Sequence, residues 1–319
     1  MGMRALLLIL CAMVFATTQA SAQDTLPEKR IALSFDDVPR DAGAFFTPDE
    51  RTQRLITALS EADVTQAAFF VTTGRLANPD GAGGESRITA YVAAGHVIAN
   101  HSHNHTRLSQ TDAADYLADL DRAGAWLTGR KGVRPWFRHP YLDEGARDKV
   151  KRDAVRTGLA ARALRNGYVT ADGSDWHLER LTLDAKRAGQ AMDMVALRKL
   201  YLQSQLSGVA YHEELSRRAL GRVPPQMLLL HETDLAALFI ADLVAELRKD
   251  GWTIITADEA YADEELAAAM PDVPYASGTL IGSMAWQRDV QPPLSPIWMG
   301  TEMMTWVFER RVLRKTEGE

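Results

Sequence analysis

The chain predicts an α/β fold, one parallel sheet covered by helices, either open and doubly wound or closed into a barrel. Three observations predict it. Short apolar runs alternate with stretches of helical period, in β-α-β-α order. The apolar runs are continuous, as in strands buried on both faces. The length of 319 residues, 46% hydrophobic and 24% charged, suits one large domain or two average ones. In either architecture, sites form at the carboxyl ends of the strands.

The elements follow in order. Residues 30–35 read as a buried strand that runs into Asp36-Asp37-Val38-Pro39, where Pro39 stops it and leaves two acidic groups at its end. Residues 48–62 read as a helix with Leu55, Ile56 and Leu59 on one face, 67–71 as a second strand and 78–84 as a surface loop. A short helix over 88–94 is stopped by Gly95. The stretch Gly95-His96-Val97-Ile98-Ala99-Asn100-His101-Ser102-His103-Asn104-His105 then reads as a short strand ending in three histidines at alternate positions. Downstream come a capped helix over 111–127, a strand over 135–138 ended by Pro140, a helix over 144–163, a strand over 168–170 and a loop over 171–176. Residues 177–220 read as two or three helices broken near Gly189 and Gly208. A strand over 226–230 stops at His231, a helix spans 234–249, and a last strand spans 252–255. Residues 271–319, rich in Pro, Gly, Trp and Met, read as an extension packed on the domain, with Trp286, Trp298 and Trp306 as packing residues.

Composition excludes some classes. The net charge is −6, without a long basic run, so there is no electrostatic case for nucleic-acid binding. Residues 1–22 read as a signal peptide: Arg4, an apolar run from Ala5 to Ala16 too short to span a bilayer, and the cleavage site Ala20-Ser21-Ala22. Only Cys11 is a cysteine, so the mature chain forms no disulfide and binds no metal through thiolate. Its charge is about −7, because Arg4 is the only charge removed. After signal removal no integral membrane segment is expected. The reading is of an exported protein, periplasmic foremost and extracellular as the alternative.

Candidate polar groups fall at one end of their strands. Asp36 and Asp37 follow the first, and His101 and His105 follow the histidine strand. Arg138 and Tyr141 flank the next, Asp175 follows the 168–170 run, and His231 follows the 226–230 run. Imidazole is the commonest ligand for divalent transition metals, and one turn brings residues four apart to one side. A His-His-carboxylate set with open positions suits hydrolysis, which also needs a base for water and an acid for the departing amine. An extended chain would instead put His101, His103 and His105 on one face, and His101 with His103 is the rival metal pair.

Five ordered blocks over roughly residues 30–256 resemble the polysaccharide deacetylase family, the domain of chitin, peptidoglycan and chitooligosaccharide deacetylases. They are Ser34-Phe35-Asp36-Asp37, His101-Ser102-His103-Asn104-His105, Phe137-Arg138-His139-Pro140-Tyr141, Asp172-Gly173-Ser174-Asp175-Trp176 and Leu228-Leu229-Leu230-His231. The resemblance implies a distorted (β/α) barrel of about seven parallel strands over 23–270, with a helical insertion at 177–225 and the C-terminal extension. It implies one divalent ion, Zn²⁺ foremost or Co²⁺, on Asp37, His101 and His105. Asp36 would be the general base, held by Arg138. The Tyr141 backbone N–H would stabilise the oxyanion, and His231 would be the general acid, kept protonated by Asp175. Trp176 would wall the substrate pocket, His103 would point elsewhere, and His96, His139, His177 and His212 would be structural. Val38, His139 and Leu142 depart from the family pattern, and the insertion and extension are expected to cover one side of the cleft. The substrate so implied is an acetylated carbohydrate. A small acylated non-sugar on the same site, and a catalytically silent sugar-binding protein, are the alternatives.

Overall fold

The computed structural model describes residues 28–296 and 299–315. The signal-peptide reading of 1–22, with Cys11, and the reading of Trp298 lie outside these residues.

The order is β1 (Lys29–Val38), α1 (Pro48–Glu61), β2 (Ala68–Val71), α2 (Gly84–Ala93), β3 (Val97–Asn100), α3 (Ala113–Leu127), β4 (Val133–Phe137), β5 (Asp143–Ala146) and α4 (Lys149–Ala161). It continues with β6 (Arg165–Asn166), β7 (Ala171–Asp172), α5 (Asp175–Arg187), α6 (Met194–Leu220), β8 (Gln226–His231), α7 (Asp234–Lys249) and β9 (Trp252–Ile254). The last elements are α8 (Ala257–Ala260), α9 (Glu264–Ala268), β10 (Ala276–Ser277), α10 (Leu280–Gln287) and α11 (Thr301–Val307). Seven parallel strands lie side by side in the order β6-β4-β3-β2-β1-β8-β7, and β9 pairs in parallel with the start of β1. The sheet curls into a half-barrel with helices around it, the distorted (β/α) barrel expected. The two-residue strands β6 and β7 are its edges, so the barrel does not close.

Strand alternation sorts the core. Ile31, Leu33 and Phe35 of β1 pack outward against α1 and α7 residues such as Leu55, Leu59, Ile240 and Leu243. Ala32 faces the other way, among Phe70, Trp136, Tyr168 and Met227. Ser34 and Asp36 continue that inner face by the period of two. The inner face therefore changes from apolar to polar toward the carboxyl ends, which is where a site can form.

Four readings are corrected. Residues 143–146 are a strand paired antiparallel with β10, not helix; Gly145 at φ 97° and Ala146 at φ 50° interrupt the chain, and Asp148 caps α4 through Lys151 N. Residues 168–170 are irregular between β6 and β7, and the 171–176 loop is replaced by β7 and the first turn of α5. α6 runs unbroken through Gly208, because that glycine serves close packing: a Cβ there would lie 2.2 Å from the Asp172 carbonyl oxygen. Trp286 and Trp306 expose more than half their surface, and the C-terminal segment instead buries Leu280, Ile281, Met284, Met304, Val307 and Phe308. Among the described residues no helix is long and apolar enough to cross a membrane.

Candidate active site

A cleft of about 460 Å³ opens at the carboxyl ends of the strands. Asp36, Asp37, His101, His105, Tyr141, Trp176 and His231 line it, with Arg138 and Asp175 buried behind. All nine residues singled out from the sequence thus converge on one place.

Backbone geometry makes this possible. In a regular strand Asp36 and Asp37 would point to opposite faces. The β1–β2 register shifts between Phe35 and Val38, and Asp37 sits at φ 69°, so both carboxylates line the cleft. His101 and His105 meet through a turn, not a helix, with Ser102 at φ 67° and His105 at φ 56°. That turn is pinned: Asp119 Oδ2 accepts the N–H groups of His103 and Asn104, and Asn100 Oδ1 accepts that of Ser102. Tyr141, Leu142 and Ser174 beside the cleft are also left-handed, at φ 50–60°. Each such non-glycine residue costs about 1–3 kcal/mol, strain that clusters at functional sites.

Asp37, His101 and His105 form a group whose ligand atoms lie within 4.8 Å of one another. Asp37 Oδ1 is 2.9 Å from His105 Nε2 and 3.7 Å from His101 Nε2. These separations bracket the roughly 3.3 Å between donors tetrahedrally disposed at zinc bond lengths. Asp37 Oδ1 is buried and has no well-aligned hydrogen-bond partner. Its other oxygen is held by Arg40 at 2.6 Å and Arg75 at 3.4 Å. His101 Nδ1 is 2.9 Å from the Arg138 carbonyl, which selects the Nδ1–H tautomer and leaves the Nε2 lone pair facing Asp37. Burial pushes His101 down to about 4, against the pull of Asp36, so the ring is neutral. Burial would raise Asp37, but the close contact with His105 and the charges of Arg40 and Arg75 hold it well below the usual carboxylate range. An ionised carboxylate and a neutral imidazole are the states a divalent cation requires, so the donor set fits such an ion.

His103 faces away, its Nδ1 2.9 Å from Thr73 Oγ1 and its Nε2 2.9 Å from Arg122. His96, His139 and His212 are buried, with ring nitrogens hydrogen-bonded to the Ala67 N–H, the Tyr116 hydroxyl and the Gly208 carbonyl; His177 Nε2 meets Thr305 Oγ1.

Behind Asp36 stands Arg138, buried, donating from Nη1 to Asp36 Oδ1 at 2.6 Å and to Ser34 Oγ at 2.8 Å. Its Nε donates to the Gly167 carbonyl and its Nη2 to the Tyr261 hydroxyl, while Phe70 lies under the guanidinium at 3.8 Å. Across the cleft, Asp175 opens α5, and its two oxygens accept from His231 Nδ1 at 2.7 Å and His231 N at 2.8 Å. Burial would lower His231, yet the charge and hydrogen bond of Asp175 lift it to about 9. The ring is therefore protonated at neutral pH.

Sequence reasoning missed several residues. Ser34 is two before Asp36, and strand alternation alone could have found it. Tyr261 carries no local signal and arrives after β9. Asp172, raised to about 6 by burial, stands inside the Asp172–Trp176 block. Arg40, Arg75, Arg107 and Arg180 also line the cleft. Among the described residues only Arg180 of the insertion does so, and none of the C-terminal extension, so there the expectation that both cover one side of the cleft is corrected.

A curled parallel sheet with acid, imidazole and arginine gathered at its carboxyl ends defines an α/β half-barrel protein with a candidate hydrolytic site. Residues 23–161 match the polysaccharide deacetylase family model. Among solved structures, a family 4 carbohydrate esterase from Streptomyces lividans is 22% identical, with 73% of this chain and 95% of that chain covered and a TM-score of 0.47. A peptidoglycan deacetylase from Bacillus subtilis is 18% identical, with 75% and 94% covered and a TM-score of 0.45. A family 4 pseudoenzyme from Bacillus anthracis is 19% identical, with 73% and 66% covered and a TM-score of 0.48. No curated protein matches the chain.

Proposed function

We propose that the chain is an exported, divalent-metal-dependent deacetylase that hydrolyses acetyl groups on sugars, N-acetyl groups foremost. The supporting observation is that a donor set of two imidazoles and a carboxylate shares one cleft with both a carboxylate placed as a base and an imidazole that its buried aspartate keeps protonated. A sugar-binding protein without catalysis has no use for that last pair.

Asp37, His101 and His105 would hold the cation, Zn²⁺ foremost. When bound, such an ion supplies Lewis acidity near neutral pH. Asp36 takes a proton from the attacking water, and Arg138 fixes the carboxylate so that its Oδ2 is left for that proton. The Tyr141 backbone N–H donates to the oxygen on which charge develops. His231, held at Nδ1 by Asp175, donates from Nε2 to the departing amine, which cannot leave as an anion. Trp176 forms part of the wall. We read 1–22 as the signal peptide, 23–270 as the barrel with its insertion at 177–225, and 271–319 as an extension packed on it, with the periplasm as the destination.

The test is acetate release from N-acetylglucosamine oligomers by the purified, metal-loaded chain. Activity is expected to vanish with chelator, and Asp36→Asn and His231→Ala to lower kcat by about 10²–10⁴ while metal content is kept. Absence of acetate from every acetylated sugar offered overturns the reading.

A further inference from the structure

The cleft carries more positive charge than an acetyl group needs. Arg40, Arg75, Arg107 and Arg180 line it in a chain whose net charge is −6. Arg40 and Arg75 are committed to Asp37 Oδ2. The other two are not committed in this way. The Arg107 guanidinium lies 3.7 Å from the centre of the Tyr141 ring, and among the described residues no carboxylate pairs with it. Arg180 meets Asp184 at 3.1 Å in a pair about half exposed on each side, and His177 Nδ1 at 3.4 Å. An exposed pair of that kind contributes little, so Arg180 can turn to a ligand at little cost.

Their placement brackets the reacting groups. Arg107 rests on Tyr141, whose ring is 4.5 Å from that of His105. Arg180 stands one helical turn beyond Trp176 on α5, the helix whose first residue holds His231. Nothing in the deacetylation itself uses either cation. Each guanidinium offers a planar fork of N–H donors that matches an oxyanion.

We propose that the substrate is an acetylated sugar bearing an oxyanion close to its acetyl group, held by Arg107 and Arg180. This rests on the deacetylase reading and narrows its substrate class. The chemistry is shared by the carboxylate of a uronic acid and by a sulfate ester.

The experiment is calorimetry of the metal-loaded chain with three matched acetylated oligosaccharides: neutral, carboxylate-bearing and sulfate-bearing. At least one anionic ligand is expected to bind ten-fold or more tightly than the neutral one, with the advantage shrinking as salt rises. The double variant Arg107→Gln/Arg180→Gln is expected to erase the preference, whereas Arg217→Gln, on the exposed face of α6, keeps it. The stronger of the two anionic ligands names the anion. Equal binding of all three ligands, or a preference that survives the double variant, overturns the proposal. Acetate release is read separately on the same ligands: none from any of them sinks the deacetylase reading, while the binding preference alone decides this one.

Discussion

Asp175→Asn tests the proton traffic most directly. Asp175 is wholly buried, and its two carboxylate oxygens accept from His231 Nδ1 at 2.7 Å and His231 N at 2.8 Å. Its charge and hydrogen bond lift His231 to about 9 against a burial that would lower it from 6.5. Asparagine keeps the shape and an acceptor for Nδ1–H but removes the charge. Burial then acts with little opposition, and the imidazole falls below 6.5. A fall of more than two units is worth about 3 kcal/mol between the protonated and neutral rings. The sign follows from the role. An acid must be protonated, so activity holds below the folded pKa and is lost above it; the basic limb moves from near pH 9 in the wild type to below pH 6.5 in the variant. Stability obeys the same sign. A pKa raised on folding stabilises fully below 6.5 and ceases to do so as pH rises through 9, and the variant lacks that contribution. The assays are the pH profile of kcat/KM and an NMR titration of the His231 Cε1–H, each compared between wild type and variant so that any charge common to both cancels. Coincident basic limbs and titration midpoints would refute the role given to Asp175.

Further expectations can be checked singly. In a metal titration His105→Ala loses the ion and His103→Ala keeps it, because His103 is turned onto Thr73 and Arg122; the first loss exceeds the ~10–100-fold typical of outer partners. Arg138→Met leaves Asp36 a buried, unpaired carboxylate and lowers stability by about 3–5 kcal/mol, read by denaturant unfolding, with kcat falling alongside. Gly208→Ala separates packing from propensity. Alanine favours a helix interior by about 1 kcal/mol, yet here a Cβ meets the Asp172 carbonyl, so a net destabilisation of about 1–3 kcal/mol is expected and a rise in Tm contradicts the packing argument.

Much was legible along the chain because it is local. Continuous apolar runs announced β1, β2, β3 and β8, and the helix over 234–249 matched residue for residue, its stripe intact from Thr233 to Asp250. Where the period was ambiguous the reading failed. Residues 143–146 carry no strand pattern and pair with β10 some 130 residues on. Gly208 looks like a break until the backbone it touches is known. The site blocks were legible for a related reason: each sits where a strand ends, and the strand fixes which end that is.

By itself, the order of residues determined an α/β fold, the ends of its strands and the residue types gathered there, because propensity and period act over a few positions. It could not determine that Asp37 turns back to the face of Asp36, since regular alternation says the opposite and only a left-handed residue at a shifted register reverses it. Nor could it assign His101 a tautomer, Arg138 a tyrosine 123 residues away, or four arginines to one cleft. Those are matters of through-space distance, and distance exists only once the sheet has curled.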